Sequence, residues 1–99
     1  MNTISPQELK IKINNNDSFL LVDIREDYEY EDFNIGGINV PFDQVFSSLN
    51  KFNTDMPIIF ICNTGKKSRA IIHTIKRKLQ LENVYSLDRG ITGYAAEID

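Results

Sequence analysis

Ninety-nine residues suffice for one domain; at this mass surface scaling gives about 5,800 Å² exposed when folded, with roughly 65% of the unfolded chain's surface hidden. With 41% hydrophobic and 25% charged residues, the composition is that of a globular domain and excludes a disordered tail. A single cysteine rules out an internal disulfide and any multi-cysteine zinc site. The longest apolar runs, Phe19–Val22 and Ile58–Cys62, fall far short of a membrane span. Met1–Pro6 lacks the basic end and long apolar block of a signal peptide, so the expected compartment is the cytoplasm.

The net charge of −3 is unevenly laid out. Asp23, Glu26, Asp27, Glu29, Glu31 and Asp32 crowd one segment, and Lys66, Lys67, Arg69, Lys76, Arg77 and Lys78 another. Both read as solvated helix faces. The basic segment carries no aromatic and the whole chain is acidic, which argues against a nucleic-acid partner.

In chain order, Ser5 caps a helix from Pro6 to Ile13, with Glu8 completing a capping box and Leu9 and Ile13 forming its buried stripe. Phe19–Ile24 is a continuous apolar run ended by charge, the pattern of a strand buried on both faces of a parallel sheet. A short acidic helix spans Asp27 to Phe33. Gly36-Gly37 breaks the chain before a brief strand, Ile38–Val40, stopped by Pro41. Val45, Phe46 and Leu49 lie at helical spacing, and Pro57 opens the strongest strand, Ile58–Ile61. From Lys66 to Leu81 the pattern is helical, with Ile71, Ile72, Ile75 and Leu79 on one face. Val84–Leu87 is a last strand and Gly90–Ile98 a final helix. Alternating strands and helices with short links predict a single α/β domain over residues 1–99, built in three α/β/α layers around a mostly parallel sheet.

In such sheets the working crevice lies at the carboxyl ends of the strands. Strand Ile58–Ile61 delivers Cys62, Asn63, Thr64, Gly65, Lys66, Lys67, Ser68 and Arg69 there, and strand Phe19–Ile24 delivers Asp23 and Arg25. Backbone amides of the loop, the positive end of the following helix and the nearby lysines all favour thiolate over thiol at Cys62. Such a loop is a cradle for a thiolate, a persulfide or an oxyanion. The plain alternative for Cys62 is a small hydrophobe closing a strand. His73 falls within the helix beside Ile72, on the flank of the packing face, and does not read as the base of a cysteine protease.

These residues resemble the rhodanese-like domains, single-domain sulfurtransferases, nearly end to end. Leu21-Val22-Asp23-Ile24-Arg25 followed by Glu29-Tyr30 is similar to their apolar strand, Asp-x-Arg and Glu-aromatic pattern. Asn34–Pro41 resembles their Gly-His-Ile-x-Gly-Ala…Pro segment, Cys62–Ser68 their Cys-x-x-Gly-x-Arg-Ser loop, and Val84–Ile91 their closing Val-Tyr-x-Leu-x-Gly-Gly-Ile. Tyr94 stands where an aromatic is usual. Asn34 stands where the family has histidine, Lys67 where it has the loop arginine, and Arg89 where it has the first closing glycine.

The resemblance implies transfer of sulfane sulfur through a Cys62 persulfide, from thiosulfate or another persulfide donor to a thiophilic acceptor, with no metal or organic cofactor. It implies that the amides of Asn63 to Lys67 steady the persulfide, that Lys66 and Lys67 attract an anionic donor, and that Arg69 or Arg89 assists. Asp23 and Arg25 then brace the loop, with Arg25 and Glu29 at ion-pair spacing. Three other readings stay open. One is a non-catalytic binding module on the same scaffold, and one a protein-to-protein relay fed by a desulfurase or serving a sulfur carrier. The third is a phosphatase, which needs Cys, five residues and Arg to clamp phosphate; Ser68 occupies that position and Arg69 follows one later.

Overall fold

The structure, a computed structural model, describes residues 2–52 and 55–98. Met1 of the opening stretch and Asp99 of the expected 1–99 domain lie outside the described residues. The accessible surface is 5836 Å², in line with what scaling gives for this mass.

Among the described residues, five strands form one sheet: β1 Thr3–Ile4, β2 Leu20–Asp23, β3 Ile38–Asn39, β4 Ile58–Ile61 and β5 Val84–Leu87. They lie in the order β1-β5-β4-β2-β3, and every pairing is parallel. The sheet is therefore wholly parallel where a mostly parallel one was expected. Strand β1 was not anticipated: its two residues carry no pattern of their own and are fixed by pairing with Ser86 and Leu87.

Helices α1 (Pro6–Asn14), α2 (Asp27–Asp32), α3 (Val45–Ser48), α4 (Lys66–Leu79) and α5 (Gly90–Ile98) connect or flank the strands, with single 3₁₀ turns on either side of α3. Parallel neighbours require such crossovers. The capping box of α1 forms as its sequence predicts. Glu8 N donates to Ser5 Oγ at 3.1 Å and Ser5 N donates to Glu8 Oε1 at 2.9 Å, which holds the Glu8 carboxyl below its ordinary range.

Alternation along the strands divides the core in two. Val22, Ile24, Ile58, Phe60 and Val84 face α4 and pack with Val45, Ile71, Ile72 and Ile75. Leu21, Ile59, Ile61 and Leu87 face the other way and pack with Leu9 of α1 and Ile91 of α5. The result is three layers, α/β/α. Cys62 follows Phe60 by two residues and so belongs to the α4 side. The expected helical stripe is shorter than the sequence suggests. Helix α4 ends at Leu79, which is 49% exposed, because Gln80 turns left-handed at φ 57° and carries Leu81 back toward the core. Phe46 is likewise 47% exposed while Val45 takes the buried position. Among the described residues, no helix is long and apolar enough to cross a membrane.

One buried ion pair ends β2. Asp23 is 0% and Arg25 8% exposed. The guanidinium grips the carboxylate with two nitrogens: Arg25 Nε donates to Asp23 Oδ1 at 2.9 Å and Nη2 to Oδ2 at 2.8 Å. That grip raises the Arg25 pKa further. The same Nη2 donates to the carbonyl of Phe33 at 2.7 Å, and Asn39 Nδ2 donates to the carbonyls of Asp23 and Arg25, both at 3.0 Å. The pair thus staples the β2 end to the segment after α2 and to β3. Asp23→Asn leaves the arginine charged and buried without its counter-ion, and is expected to cost about 3–5 kcal/mol in urea denaturation; an unchanged midpoint would overturn the assignment of that role to the pair.

Candidate active site

Strand β4 ends at Ile61, and the chain then closes a tight loop on its own sulfur. Gly65 N donates to Cys62 Sγ at 3.0 Å and Ser68 N, in the first turn of α4, donates to it at 3.4 Å. The thiol lies 3.4 Å from Ser68 Oγ, to which it donates. Of the amides expected from Asn63 to Lys67, Gly65 reaches the sulfur, and Ser68 joins it from one residue beyond that stretch. Gly65 makes the closure possible: at φ +97° it adopts a backbone that L side chains rarely reach, and a Cβ there would press on the Arg69 guanidinium and the Arg89 amide.

The loop is also held from behind. Ile91 N and Thr92 N, at the start of α5, donate to the carbonyls of Cys62 at 2.9 Å and Asn63 at 3.1 Å. These amides have no partners within their own helix, so the loop carbonyls satisfy them. Gly90, at φ +61°, lets the two segments approach: a Cβ would collide with the Cys62 and Asn63 carbonyls.

Cys62, 4% exposed, lines a cavity of about 260 Å³ at the carboxyl end of the sheet. Asn63, Thr64, Lys66 and Lys67 supply one part of the wall, and Ile24, Arg25, Glu26, Glu29 and Phe42 the other. Lys67 Nζ stands 5.3 Å from the centre of the Phe42 ring, a cation–π contact that keeps the ammonium at this wall. Arg25 reaches the cavity already paired with Asp23, so the cations free to meet an anion are the two lysines.

The remaining expected residues, Arg69 and Arg89, flank the loop at Gly65 without lining the cavity. Arg69 lines a separate concavity of about 300 Å³ with Asn2, His73 and Arg77. Arg89 ion-pairs with Glu97 and Asp88, and Glu97 is held below the ordinary carboxylate range by its hydrogen bonds from Gln7 and Arg89. Neither arginine lines the Cys62 cavity. Asp23 braces β2 and β3, as described, while the tie to the cysteine loop comes from Glu29: Asn63 Nδ2 donates to Glu29 Oε2 at 3.1 Å. The motif placed Glu29 near Arg25 and gave no sign of Asn63, because the contact joins residues far apart in the chain. Asn34, at the position of the family histidine, spends its side chain on the α2 end, donating to Tyr30 O and accepting from Gly36 N, both at 2.9 Å. A larger groove of about 610 Å³ borders the far part of α4, with Phe46, Leu49, Leu79 and Leu81 in its wall. Its lining holds neither a cysteine nor a carboxylate.

Glu29 carries a pH prediction. The Asn63 side chain and the Glu26 amide bond its carboxylate and hold its pKa below the ordinary 4.5. A depressed folded pKa means that the unfolded chain takes up the proton first, so this contribution is complete above pH 4.5 and is lost as pH falls through the lower folded value. Denaturation of wild type and Glu29→Gln should therefore differ most near neutrality and converge in acid; a gap that widens in acid would contradict the assignment.

With the geometry established, comparison places the chain among known proteins. The family model described as "Rhodanese-like domain" matches residues 5–97. A curated relative from Bacillus subtilis (strain 168), named "Putative sulfur carrier protein YrkF", is 32% identical over 76 residues, which are 76% of this chain. The match spans 41% of that relative's length. The crystal structure of SSP1007 from Staphylococcus saprophyticus superposes with a TM-score of 0.84 at 26% identity, covering 98% of this chain and 96% of that one. The Saccharomyces cerevisiae single domain sulfurtransferase RDL2 shares the fold, with a TM-score of 0.76 at 22% identity over 97% of this chain and 89% of its own. From residue 5 to residue 97, the chain belongs to the rhodanese-like family.

Proposed function

We propose that the protein is a sulfurtransferase that carries sulfane sulfur as a persulfide on Cys62. The observation that carries this reading is the pair of backbone amides, Gly65 at 3.0 Å and Ser68 at 3.4 Å, converging on a sulfur that opens into a lysine-walled cavity. Directed N–H groups in a site of low dielectric stabilise charge that water would otherwise have to solvate. A buried structural cysteine has no use for them.

With thiosulfate as donor, the Cys62 thiolate attacks the outer sulfur. A new S–S bond forms as the S–S bond of thiosulfate breaks, and sulfite leaves with the electron pair. The protein then holds Cys62–S–S⁻. An acceptor nucleophile attacks the outer sulfur, takes it, and returns the Cys62 thiolate; with cyanide the product is thiocyanate. Lys66 and Lys67 supply the attraction for an anionic donor, and the loop amides hold charge on sulfur through both half-reactions. The relative named as a sulfur carrier favours a second reading of the same chemistry. In it, donor and acceptor are proteins, a desulfurase persulfide and a carrier thiol, and the loaded form of Cys62 is identical. The phosphatase reading loses ground, since Arg69 lies outside the cavity.

Mass spectrometry after incubation with thiosulfate, or with a desulfurase and cysteine, tests the reading. One sulfur atom, about 32 Da, should appear on Cys62 and disappear on adding cyanide. Cys62→Ser should fold and gain no sulfur; a loaded serine variant would exclude this mechanism. Lys67→Ala should raise the thiosulfate concentration for half-maximal loading about three- to tenfold while Lys67→Arg largely retains it. Equal concentrations for all three proteins would remove Lys67 from donor attraction.

A further inference from the structure

Beyond the buried ion pair, the buried polar side chains among the described residues are two serines, Ser68 and Ser86, each 0% exposed. Ser68 belongs to the cysteine loop motif. Ser86 does not: it lies on β5, opposite Phe60 of β4, on the sheet face that packs against α4. Its neighbour on that face, Val84, is apolar. A hydroxyl buried there costs stability unless bonded, and an apolar residue would fill the place at no such cost. Ser86 Oγ lies 2.5 Å from Ser68 Oγ, which in turn lies 3.4 Å from Cys62 Sγ.

We infer that Ser86 is a positioning residue, acting through Ser68 on the nucleophilicity of the Cys62 sulfur; the inference deepens the persulfide reading and rests on it. The proton inventory gives the reason. A serine oxygen has one proton to donate and two lone pairs. With Cys62 as the thiol, Ser68 Oγ accepts from the sulfur, donates to the Gly65 carbonyl at 3.1 Å, and has one lone pair left for Ser86. With Cys62 as the thiolate, the sulfur has no proton to give and gains from receiving one more donor. The Ser68 proton can swing from the Gly65 carbonyl onto sulfur if its oxygen stays where it is. The Ser86 hydroxyl, donating to that oxygen from a strand paired on both sides, holds it there and polarises its O–H bond. The sulfur is thus bonded in both states by the same three groups, the amides of Gly65 and Ser68 and the Ser68 hydroxyl, with Ser86 as the fixed support.

Ser86→Ala tests this in the 99-residue protein by two readouts. The rate constant for loading at saturating thiosulfate should fall about five- to tenfold, one neutral hydrogen bond's worth, while the half-saturating concentration stays unchanged because Ser86 touches no donor. Alkylation of Cys62 by iodoacetamide, which needs no sulfur chemistry, should slow by a similar factor. The charged groups that line the cavity, Arg25, Glu26, Glu29, Lys66 and Lys67, are the same in every variant. Ser86→Thr, which keeps the hydroxyl, should restore both rates. On a Ser68→Ala background, Ser86→Ala should add nothing, whereas a merely structural loss adds to it. Unchanged alkylation in folded Ser86→Ala, or additive losses in the double variant, would overturn the inference. Should the wild type take up no sulfur while alkylation slows in Ser86→Ala, the transferase reading fails and the positioning role stands.

Discussion

The site depends on one short hydrogen bond, that of Gly65 N–H to the sulfur three residues earlier, at 3.0 Å. It fixes the loop in the only conformation that also starts α4, since Gly65 is both the donor and the residue before that helix. A left-handed backbone at this position reverses the chain within the reach of a cysteine side chain. Everything that follows in the sequence, the first-turn amide of Ser68 and the lysines at the cavity wall, takes its direction from that reversal. Sulfur and helix start are therefore one structural unit, and the field of the helix is delivered to the Cys62 sulfur without any side chain to aim it.

Charge around the sulfur is sorted by burial. The most buried cation, Arg25, is consumed by Asp23 and by the Phe33 carbonyl and so serves the frame. Lys66 and Lys67 remain exposed at the cavity wall, where an anion can meet them. Glu29 occupies the opposite wall but is committed to Asn63 and to the Glu26 amide. The cavity beside the cysteine thus carries two lysines and two glutamates, Glu26 and Glu29, with Arg25 already neutralised by Asp23. The exchange of a loop arginine for Lys67 fits this arrangement: a lysine provides a point charge and, over the Phe42 ring, a fixed location, without the planar fork of arginine.

The sequence was legible where local chemistry decides the outcome. Ile58–Ile61 could only be a buried strand, and the Ser5–Glu8 box announced its helix. Cys62 was conspicuous because a thiol stands at a strand–loop–helix junction. What was illegible depended on partners distant in the chain. Two residues, Thr3 and Ile4, become a strand only because β5 leaves an edge to pair with. Leu79 matched the helical stripe, yet the left turn at Gln80 ends the helix before the core can cover it. Arg69 followed the loop in sequence but points into another concavity, since one residue along a helix rotates a side chain by about 100°. Ser86 looked like an ordinary strand residue, and Asn63 was marked for its backbone amide and not for its side chain. Their importance comes from Glu29 and Ser68, which the fold brings beside them.

The attachment of α5 to the Cys62 loop has a mechanical corollary. Because its first amides grip the Cys62 and Asn63 carbonyls, and because Gln7 of α1 reaches Glu97 near its other end, the last helix links α1 to the Cys62 loop. A load placed on the outer end of that helix, by a docked protein or a fused segment, would meet the carbonyls of Cys62 and Asn63 at its inner end. Helix α5 is in that sense a handle on the backbone of the Cys62 loop.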